Sequence, residues 1–158
     1  MPSFTLYLTA TVTDCTLAKA HNSAVRFKLS CISCREAAPN FSVVSLLDER
    51  VAVPGSRGDC HLLQRCAACR EQGTVTVTRL RVEPLGAAAL EAGAPLCTLE
   101  CRGCEPVGFQ AGDGWVVAVE SGASWEASFD EEDSFTEFDE GAGVPVTAEN
   151  VRGEWRKD

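Results

Sequence analysis

The sequence predicts a mainly β protein of 158 residues, made of two similar sandwich-like or barrel-like halves. Two observations lead to this prediction. Several segments alternate apolar and polar side chains with the period of two that half-buried strands show. In addition, the sequence resembles itself at a distance of about 70 residues, which is long enough for one small β unit.

The alternating segments are rich in Val, Thr, Leu and Phe, the composition expected of strands. They are residues 4–13, 25–29, 43–47, 74–82 and 115–119. Helical signals are few. An alanine-rich piece at residues 85–92 predicts about two helical turns, bounded by Gly93 and Pro95.

The internal repeat supports a duplicated architecture. A shift of 70 residues superposes Val12 on Val82, Leu29 on Leu99, Cys31 on Cys101 and Cys34 on Cys104. We therefore predict a single domain, residues 1–158, made of two pseudo-repeats at about residues 1–72 and 73–158.

The net charge of the protein argues against partners that carry many phosphate groups. A net charge of -9 offers no broad positive face for phosphates, so we expect neither nucleic acid nor an anionic membrane as a partner. The first residues contain neither a basic leader nor an apolar run of membrane-spanning length. We expect a monomeric cytoplasmic protein.

Nine cysteines in a reducing compartment indicate metal ligands or redox groups rather than disulfides. Two C-x-x-C pairs, Cys31 with Cys34 and Cys66 with Cys69, are separated by 31 residues. Two such loops facing each other supply the four sulfurs that structural Zn²⁺ prefers. Buried thiols are one alternative. A thiol–disulfide site is another, but no βαβ pattern accompanies the pairs.

Other cysteines and histidines are ambiguous. Cys101 and Cys104 form a third pair that could be a redox couple, half a metal site or a remnant of the duplication. We favour a position outside the zinc site, because a closed site needs four ligands. Cys60 and His61 are expected to lie beside the metal ligands, and His21 in a solvated turn. Cys15 and Cys97 are predicted to pack as small apolar side chains in strands.

No catalytic constellation is visible in the sequence. No G-x-S-x-G, H-E-x-x-H or P-loop pattern occurs. Residues 53–58 could hold an anion, but a plain hairpin loop is favoured. The acidic run at residues 130–140 is interleaved with Phe135 and Phe138 and preceded by Phe129. We expect these aromatic rings to dock on the body of the protein, although the stretch could equally be an interaction surface.

The motif order resembles a known family. The order is C-I-S-C, P-G-S-R-G, C-A-A-C, E-C-R-G-C-E-P-V-G-F, E-S-G and F-T-E-F-D-E. It is similar to that of the CXXC motif containing zinc binding proteins of eukaryotes, over about residues 5–151. The resemblance implies a mostly β protein of two similar halves with one zinc ion and no established enzymatic activity. It assigns the ligand role to Cys31, Cys34, Cys66 and Cys69, whereas Cys104 departs from the family pattern.

Together these observations favour a non-enzymatic zinc protein. The first hypothesis is a structural four-cysteine site in a scaffold that binds another protein. The alternative is a metal-handling or thiol-redox protein whose sulfurs exchange zinc, copper(I) or electrons. A hydrolytic zinc enzyme ranks lower, because four thiolates leave no coordination position for an activated water.

Overall fold

A computed structural model describes residues 2–20, 24–45 and 48–158. Nearly all regular structure in these residues is β. The strands are β1 (Ser3–Thr13), β2 (Thr16–Lys19), β3 (Val25–Cys31), β4 (Ser42–Val44), β5 (Val51–Ala52), β6 (Asp59–Cys60), β7 (Leu62–Arg65), β8 (Gln72–Leu80), β9 (Ala94–Arg102), β10 (Cys104–Gln110), β11 (Trp115–Ala118), β12 (Ser124–Ala127), β13 (Ser134–Asp139) and β14 (Val144–Lys157). The helix described is α1 (Ala87–Ala92).

The largest sheet has six antiparallel strands in the order β13-β14-β1-β9-β8-β7. Two three-stranded sheets, β10-β3-β4 and β12-β11-β2, and the β5-β6 pair complete the architecture. The predicted mainly β class is confirmed. Within the described residues, no helix is long and apolar enough to cross a membrane.

Each predicted element corresponds to an observed one, but nine of the fourteen strands in the described residues were not predicted. The third predicted strand, 43–47, corresponds to β4, although residues 46 and 47 lie outside the described residues. The predicted helix ends at Gly93 as expected, where φ is 95°, but it begins two residues later than predicted, because Gly86 is extended and precedes the first helical residue, Ala87. Residues 53–58 form the predicted hairpin loop, in which the Val53 amide donates to the Gly58 carbonyl at 3.1 Å.

The predicted halves do not form two separate bodies. In the large sheet β1 lies between β14 and β9, so strands from early and late in the sequence interleave. The 70-residue shift places β1 on β8 and β3 on β9, but it places β2 on the start of α1. The duplication therefore stays a prediction, and the chain shares a common core whatever its origin.

The core lies between the large sheet and the β10-β3-β4 sheet. Leu6, Leu8 and Leu99 are fully buried. Phe27 packs edge-on against Trp155 with ring centroids 5.9 Å apart, and the Trp155 indole N–H donates to the Gly108 carbonyl at 2.9 Å. Each large apolar side chain buried in this way contributes about 1.5–3 kcal/mol.

Only some of the aromatic side chains in and beside the acidic stretch pack against the body of the protein. Phe129 is buried and packs edge-on against Trp115 at 6.2 Å, and Phe135 packs against Trp125 at 6.3 Å. Phe138 is 54% exposed, so its predicted docking is wrong. Its neighbour Asp139 is buried instead, because its carboxylate accepts from Ser121 and from the amide of the following turn.

One glycine marks the closest approach of the two main sheets. A Cβ added at Gly153, on β14, would lie 2.7 Å from Leu6 Cδ1 on β1 and 2.7 Å from Phe109 Cδ2 on β10. Only a residue without a side chain lets these strands meet there.

We predict that Gly153→Ala lowers the free energy of unfolding by about 1–3 kcal/mol, because the added methyl group overpacks the contact between sheets. Thermal unfolding followed by circular dichroism measures the change. Gly86→Ala is the matched control, since a Cβ there meets nothing within 4 Å and the φ is -88°. Equal stability of the two variants would contradict this account.

Candidate metal centre

The first C-x-x-C loop begins at the end of β3. The Cys31 amide donates to the Glu36 carbonyl at 2.9 Å, and the Arg35 amide donates back to the Cys31 carbonyl at 2.9 Å. Arg35 adopts a φ of 65°, in the left-handed region. These bonds close a tight turn that directs the sulfurs of Cys31 and Cys34 to one side.

The second loop, between β7 and β8, repeats this geometry. The Cys66 amide donates to the Glu71 carbonyl at 2.9 Å, and the Arg70 amide donates to the Cys66 carbonyl at 2.9 Å. Arg70 has a φ of 68°. Left-handed conformation in a non-glycine residue is unfavourable by about 1–2 kcal/mol, so both turns need stabilisation from elsewhere.

The two loops bring four thiols together. The sulfurs of Cys31, Cys34, Cys66 and Cys69 all lie within 4.8 Å of one another. Cys31 Sγ lies 3.5 Å from Cys69 Sγ, and Cys34 Sγ lies 3.5 Å from Cys66 Sγ. A zinc ion with Zn–S bonds of about 2.3 Å has sulfurs about 3.8 Å apart in a tetrahedron. The cluster therefore has the size and donor set of a four-thiolate metal site.

Backbone amides favour ionisation of the first cysteine in each pair. The amide N–H of Cys34, and to a smaller extent that of Ser33, lowers the pKa of Cys31 to about 7, although burial of the thiol opposes this shift. The pKa of Cys66 is lowered in the same way, first by the amide of Cys69. N–H groups directed at sulfur stabilise the thiolate, which is the form that binds metal.

The second cysteine of each pair has the opposite shift. The Glu71 amide lowers the pKa of Cys69, but burial and the three neighbouring thiols outweigh it and raise the pKa to about 12. The pKa of Cys34 is also raised, because burial and the Cys66 thiol outweigh the Glu36 amide. Without a cation, four close thiols cannot all ionise, so metal binding here would displace protons.

The third C-x-x-C pair lies beside this cluster but outside it. Cys101 is the last residue but one of β9, and Cys104 begins β10, where it is the register partner of Cys31 on β3. Cys101 is fully buried and Cys104 nearly so. Among the described residues, the four-thiol group includes neither sulfur. The Cys104 thiol lies 3.7 Å from the carbonyl oxygen of Thr74, to which it donates.

A glycine fixes the turn between these two cysteines. Gly103 has a φ of 78°, and a Cβ on it would collide with the backbone oxygen of Gln72. The Gly103 carbonyl accepts the Ile32 amide at 3.3 Å, which joins this turn to the first metal loop. The turn of the third pair is therefore hydrogen-bonded to the first cysteine loop and supports its position.

His61 belongs to the sheet rather than to the thiol cluster. Its Nδ1 accepts the Val77 amide at 2.9 Å, and its own amide donates to the Val75 carbonyl at 3.0 Å. Cys60 is buried, which raises the pKa of its thiol. Both of these bonds are to the backbone of β8, and the four-thiol group contains neither Cys60 nor His61. Their expected place beside the ligands stays a prediction. His21 lies outside the described residues.

The two remaining cysteines are packed differently. Cys97 is buried in β9, as expected. Cys15 lies in the turn between β1 and β2, not in a strand, and its thiol donates to the Thr147 carbonyl at 3.3 Å. It still packs against the core.

Comparison with known proteins identifies the family of this chain. The profile of the family described as CXXC motif containing zinc binding protein, eukaryotic, matches residues 5–156. The chain belongs to this family. A human protein named CXXC motif containing zinc binding protein is 30% identical over 149 residues, covering 92% of each chain. A Xenopus laevis protein of the same name is 28% identical over 160 residues and covers 99% of each.

Solved structures agree with the fold. The crystal structure titled C1orf123 superposes with a TM-score of 0.87 at 28% identity, covering 99% of each chain. A hypothetical protein from Plasmodium falciparum superposes with a TM-score of 0.81 at 14% identity over the full length of both chains. The second likeness shows the fold alone. The overall fold is thus shared with a protein of low sequence identity.

The C-x-x-C spacing predicts the four clustered cysteines, but the turn that positions them was not predicted. Both pairs are followed by the same two residues, Arg35-Glu36 and Arg70-Glu71. The shared text C-x-x-C-R-E is visible in the sequence, and it would have predicted two matching turns. The cavity between the loops has no comparable sequence signal, because its walls come from separate segments.

We predict that acid destabilises the protein partly through His61. Its Nδ1 must be unprotonated to accept the Val77 amide, and burial, followed by the Arg50 charge, lowers its folded pKa. Since the unfolded pKa is about 6.5, this contribution is complete above pH 6.5. It is lost as pH falls from there toward the lower folded pKa, where the unfolded chain alone takes up the proton.

The test compares the pH dependence of melting temperature in the wild type and in His61→Asn. Asparagine keeps an acceptor near the Nδ1 position but does not titrate. We expect the wild type to lose more stability than the variant between pH 7 and pH 5. Acid release of a metal affects both proteins alike, so parallel curves would refute the role of His61.

Proposed function

We propose that Cys31, Cys34, Cys66 and Cys69 bind one zinc ion in a closed structural site, and that the protein is a non-catalytic scaffold for another protein. The observation that carries the proposal is the convergence of four sulfurs within 4.8 Å from two matched loops. Membership of a family named for zinc binding supports the choice of metal. Four thiolates would complete the coordination sphere, which argues against hydrolytic chemistry at this ion.

The position of the site explains what the metal would do. Cys31 ends a strand of the β10-β3-β4 sheet, whereas Cys66 and Cys69 lie in the turn of an end hairpin of the six-stranded sheet. A shared ion therefore ties two sheets together at one end of the core. Structural zinc contributes about 10–16 kcal/mol of apparent binding free energy at neutral pH in small peptides, which is comparable with the stability of a whole domain.

The surroundings of the site support a binding role for this end of the molecule. Ile32, at the tip of the first loop, is 44% exposed, and Phe41 and Val43 nearby in sequence are 40% and 53% exposed. Apolar side chains displayed beside a rigid turn are suited to contact another protein. We further propose that the protein is a cytoplasmic monomer, in keeping with its nine cysteines, none of which is paired in a disulfide, and with its charge of -9.

We predict that Cys66→Ser abolishes stoichiometric zinc binding and lowers the melting temperature by about 10 °C or more, because the loss of one ligand opens the link between the sheets. Native mass spectrometry and metal analysis on protein purified without added metal give the stoichiometry. We expect one zinc per wild-type chain.

Cys15→Ser is the matched control, since its half-buried thiol lies outside the cluster. It should keep one zinc and nearly wild-type melting. A Cys66→Ser protein that retained both its zinc and its melting temperature would overturn the structural role of the site.

A second candidate function uses the surplus thiols for redox chemistry or metal handling. It is favoured by one observation: Cys101 and Cys104 flank a single tight turn at Gly103, where the interaction between the two thiols raises the pKa of Cys101 and lowers that of Cys104. Cys104 also lines a cavity open at the surface. The burial of both residues counts against rapid reaction with bulky reagents.

Under this second candidate, dilute hydrogen peroxide oxidises Cys104 to a sulfenic acid with release of water. The Cys101 thiol then attacks that sulfur, forming a disulfide and releasing a second water. Intact-mass and peptide mapping of the zinc-loaded protein would show a Cys101–Cys104 disulfide with zinc still bound. Retention of both thiols under conditions that oxidise the exposed ones would eliminate this candidate.

A further inference from the structure

A cavity of about 360 Å³ lies between the two metal loops. One side is formed by residues that follow the first loop, including Ala38 and Pro39, and the other by Ala67 and Ala68 of the second loop. Its size falls within the range of pockets that hold ligands or anchoring side chains, about 300–1,000 Å³. The cavity is therefore large enough to receive a complete side chain from another molecule.

The interior of the cavity is mostly apolar. Leu29, Gly73 and Cys104 form its deeper part, where Leu29 and Cys104 are nearly fully buried. Alanine side chains on both walls keep it open, because they leave unfilled volume that larger residues would occupy. An aliphatic group entering here would bury its surface at about 25 cal/mol per Å².

An end strand lies beside the opening, and its Gln64 side chain accepts a hydrogen bond from Ser42 of β4 at 3.1 Å. β7 is the end strand of the six-stranded sheet and pairs with β8 alone among the described strands. Gln64 and Arg65, at the end of β7, line the cavity. An extended segment can add to such an edge through main-chain hydrogen bonds while placing alternate side chains in an adjoining pocket.

The charges at the cavity favour a positive partner. Glu36 and Glu71 line it from opposite loops and are both exposed. Arg65 also lines the cavity, and its positive charge offsets one of the two glutamates while its guanidinium donates to the Arg70 carbonyl at 3.3 Å. A zinc ion bound by four thiolates adds a net charge of about -2 beside the cavity. The sum is negative in a protein whose net charge is already -9.

We propose that this cavity binds an extended segment of a partner protein that inserts an aliphatic side chain and carries a lysine or arginine next to it. The inference rests on the proposed function, because the metal would hold the two loops at the separation that defines the cavity. It goes further by assigning the surface, the β7 edge and the chemistry of the partner.

Three short peptides, acetylated and amidated, test the chemistry directly on the zinc-loaded full chain. The sequences are Gly-Gly-Leu-Lys-Gly, Gly-Gly-Leu-Glu-Gly and Gly-Gly-Gly-Lys-Gly. Amide chemical shifts in ¹H–¹⁵N spectra at low salt report binding. We expect saturable shifts for Ala38, Ala67, Gly73 and Gly103 with the Leu-Lys peptide. Binding should weaken by about fivefold with Leu-Glu and about tenfold with Gly-Lys, as expected from the loss of charge attraction and of apolar burial.

Two pairs of variants locate the effect. Ala68→Phe should fill the cavity and abolish the shifts, whereas Ala142→Phe, exposed in the turn between β13 and β14, should leave them unchanged. The Glu36→Gln/Glu71→Gln double variant should remove most of the preference for Lys over Glu. The exposed control pair Glu91→Gln/Glu120→Gln should retain that preference.

The outcomes separate this inference from the proposed function. Equal binding of the Leu-Lys and Leu-Glu peptides, shifts spread over other surfaces, or no shifts at all would overturn the cavity assignment while the zinc content stays at one per chain. A chain without zinc would overturn the proposed function itself. If Ala68→Phe fails to bind zinc, the cavity assignment is tested by the Glu36→Gln/Glu71→Gln variant, which leaves the cysteine loops intact. An unchanged preference for Lys over Glu in that variant would then overturn the assignment.

Discussion

Two tight loops from different sheets must meet with their sulfurs within 4.8 Å, and the rest of the molecule is arranged around that requirement. Each loop is closed by the same pair of backbone hydrogen bonds and ends in an arginine with left-handed backbone. Such turns are strained when isolated. They persist because the strands on both sides are anchored in a shared core, and a divalent cation would offset part of the negative charge of four thiolates that face one point.

The interleaved sheet explains how a local metal site can matter for the whole chain. β1 is flanked by β14 and β9, so the first strand of the sequence is held by strands from the second half. The loops themselves belong to β3 on one side and to β7 and β8 on the other. A metal ion bridging them would close the end of the core at the place where the end strand β7 has a strand on one side only. Stability and the shape of the nearby surface are thus coupled at one location.

The features that a partner could recognise lie at the same end of the molecule as the cysteine loops. The cavity, the edge of β7, the exposed Ile32 and two glutamates all lie within or beside the loops that carry the cysteines. The third cysteine pair underlies them, joined to the first loop through Gly103. By contrast, much of the acidic stretch is used internally. Asp130 pairs with Arg26 at 2.7 Å and Asp133 with Arg152 at 2.6 Å, so these carboxylates also fasten the later strands to the body.

The sequence by itself determined the β class, the strands β1, β3 and β8 and the four clustered cysteines, since these depend on local periodicity and on a spacing that few other chemistries use. It did not predict the longest strand, β14. It did not determine that the halves interleave, because strand order depends on pairings between residues far apart in the chain. His61 illustrates the same limit. Its position just before the second cysteine pair predicted a place near the metal, whereas its hydrogen bond to Val77, 16 residues away, arises only because the chain folds back along β8. The exposure of Phe138 and the burial of Asp139 were likewise decided by the β13–β14 pairing, which sets the face to which each side chain points. The cavity between the loops exists only in the tertiary structure, because its walls are brought together by the two sheets and its volume is what their side chains leave unfilled.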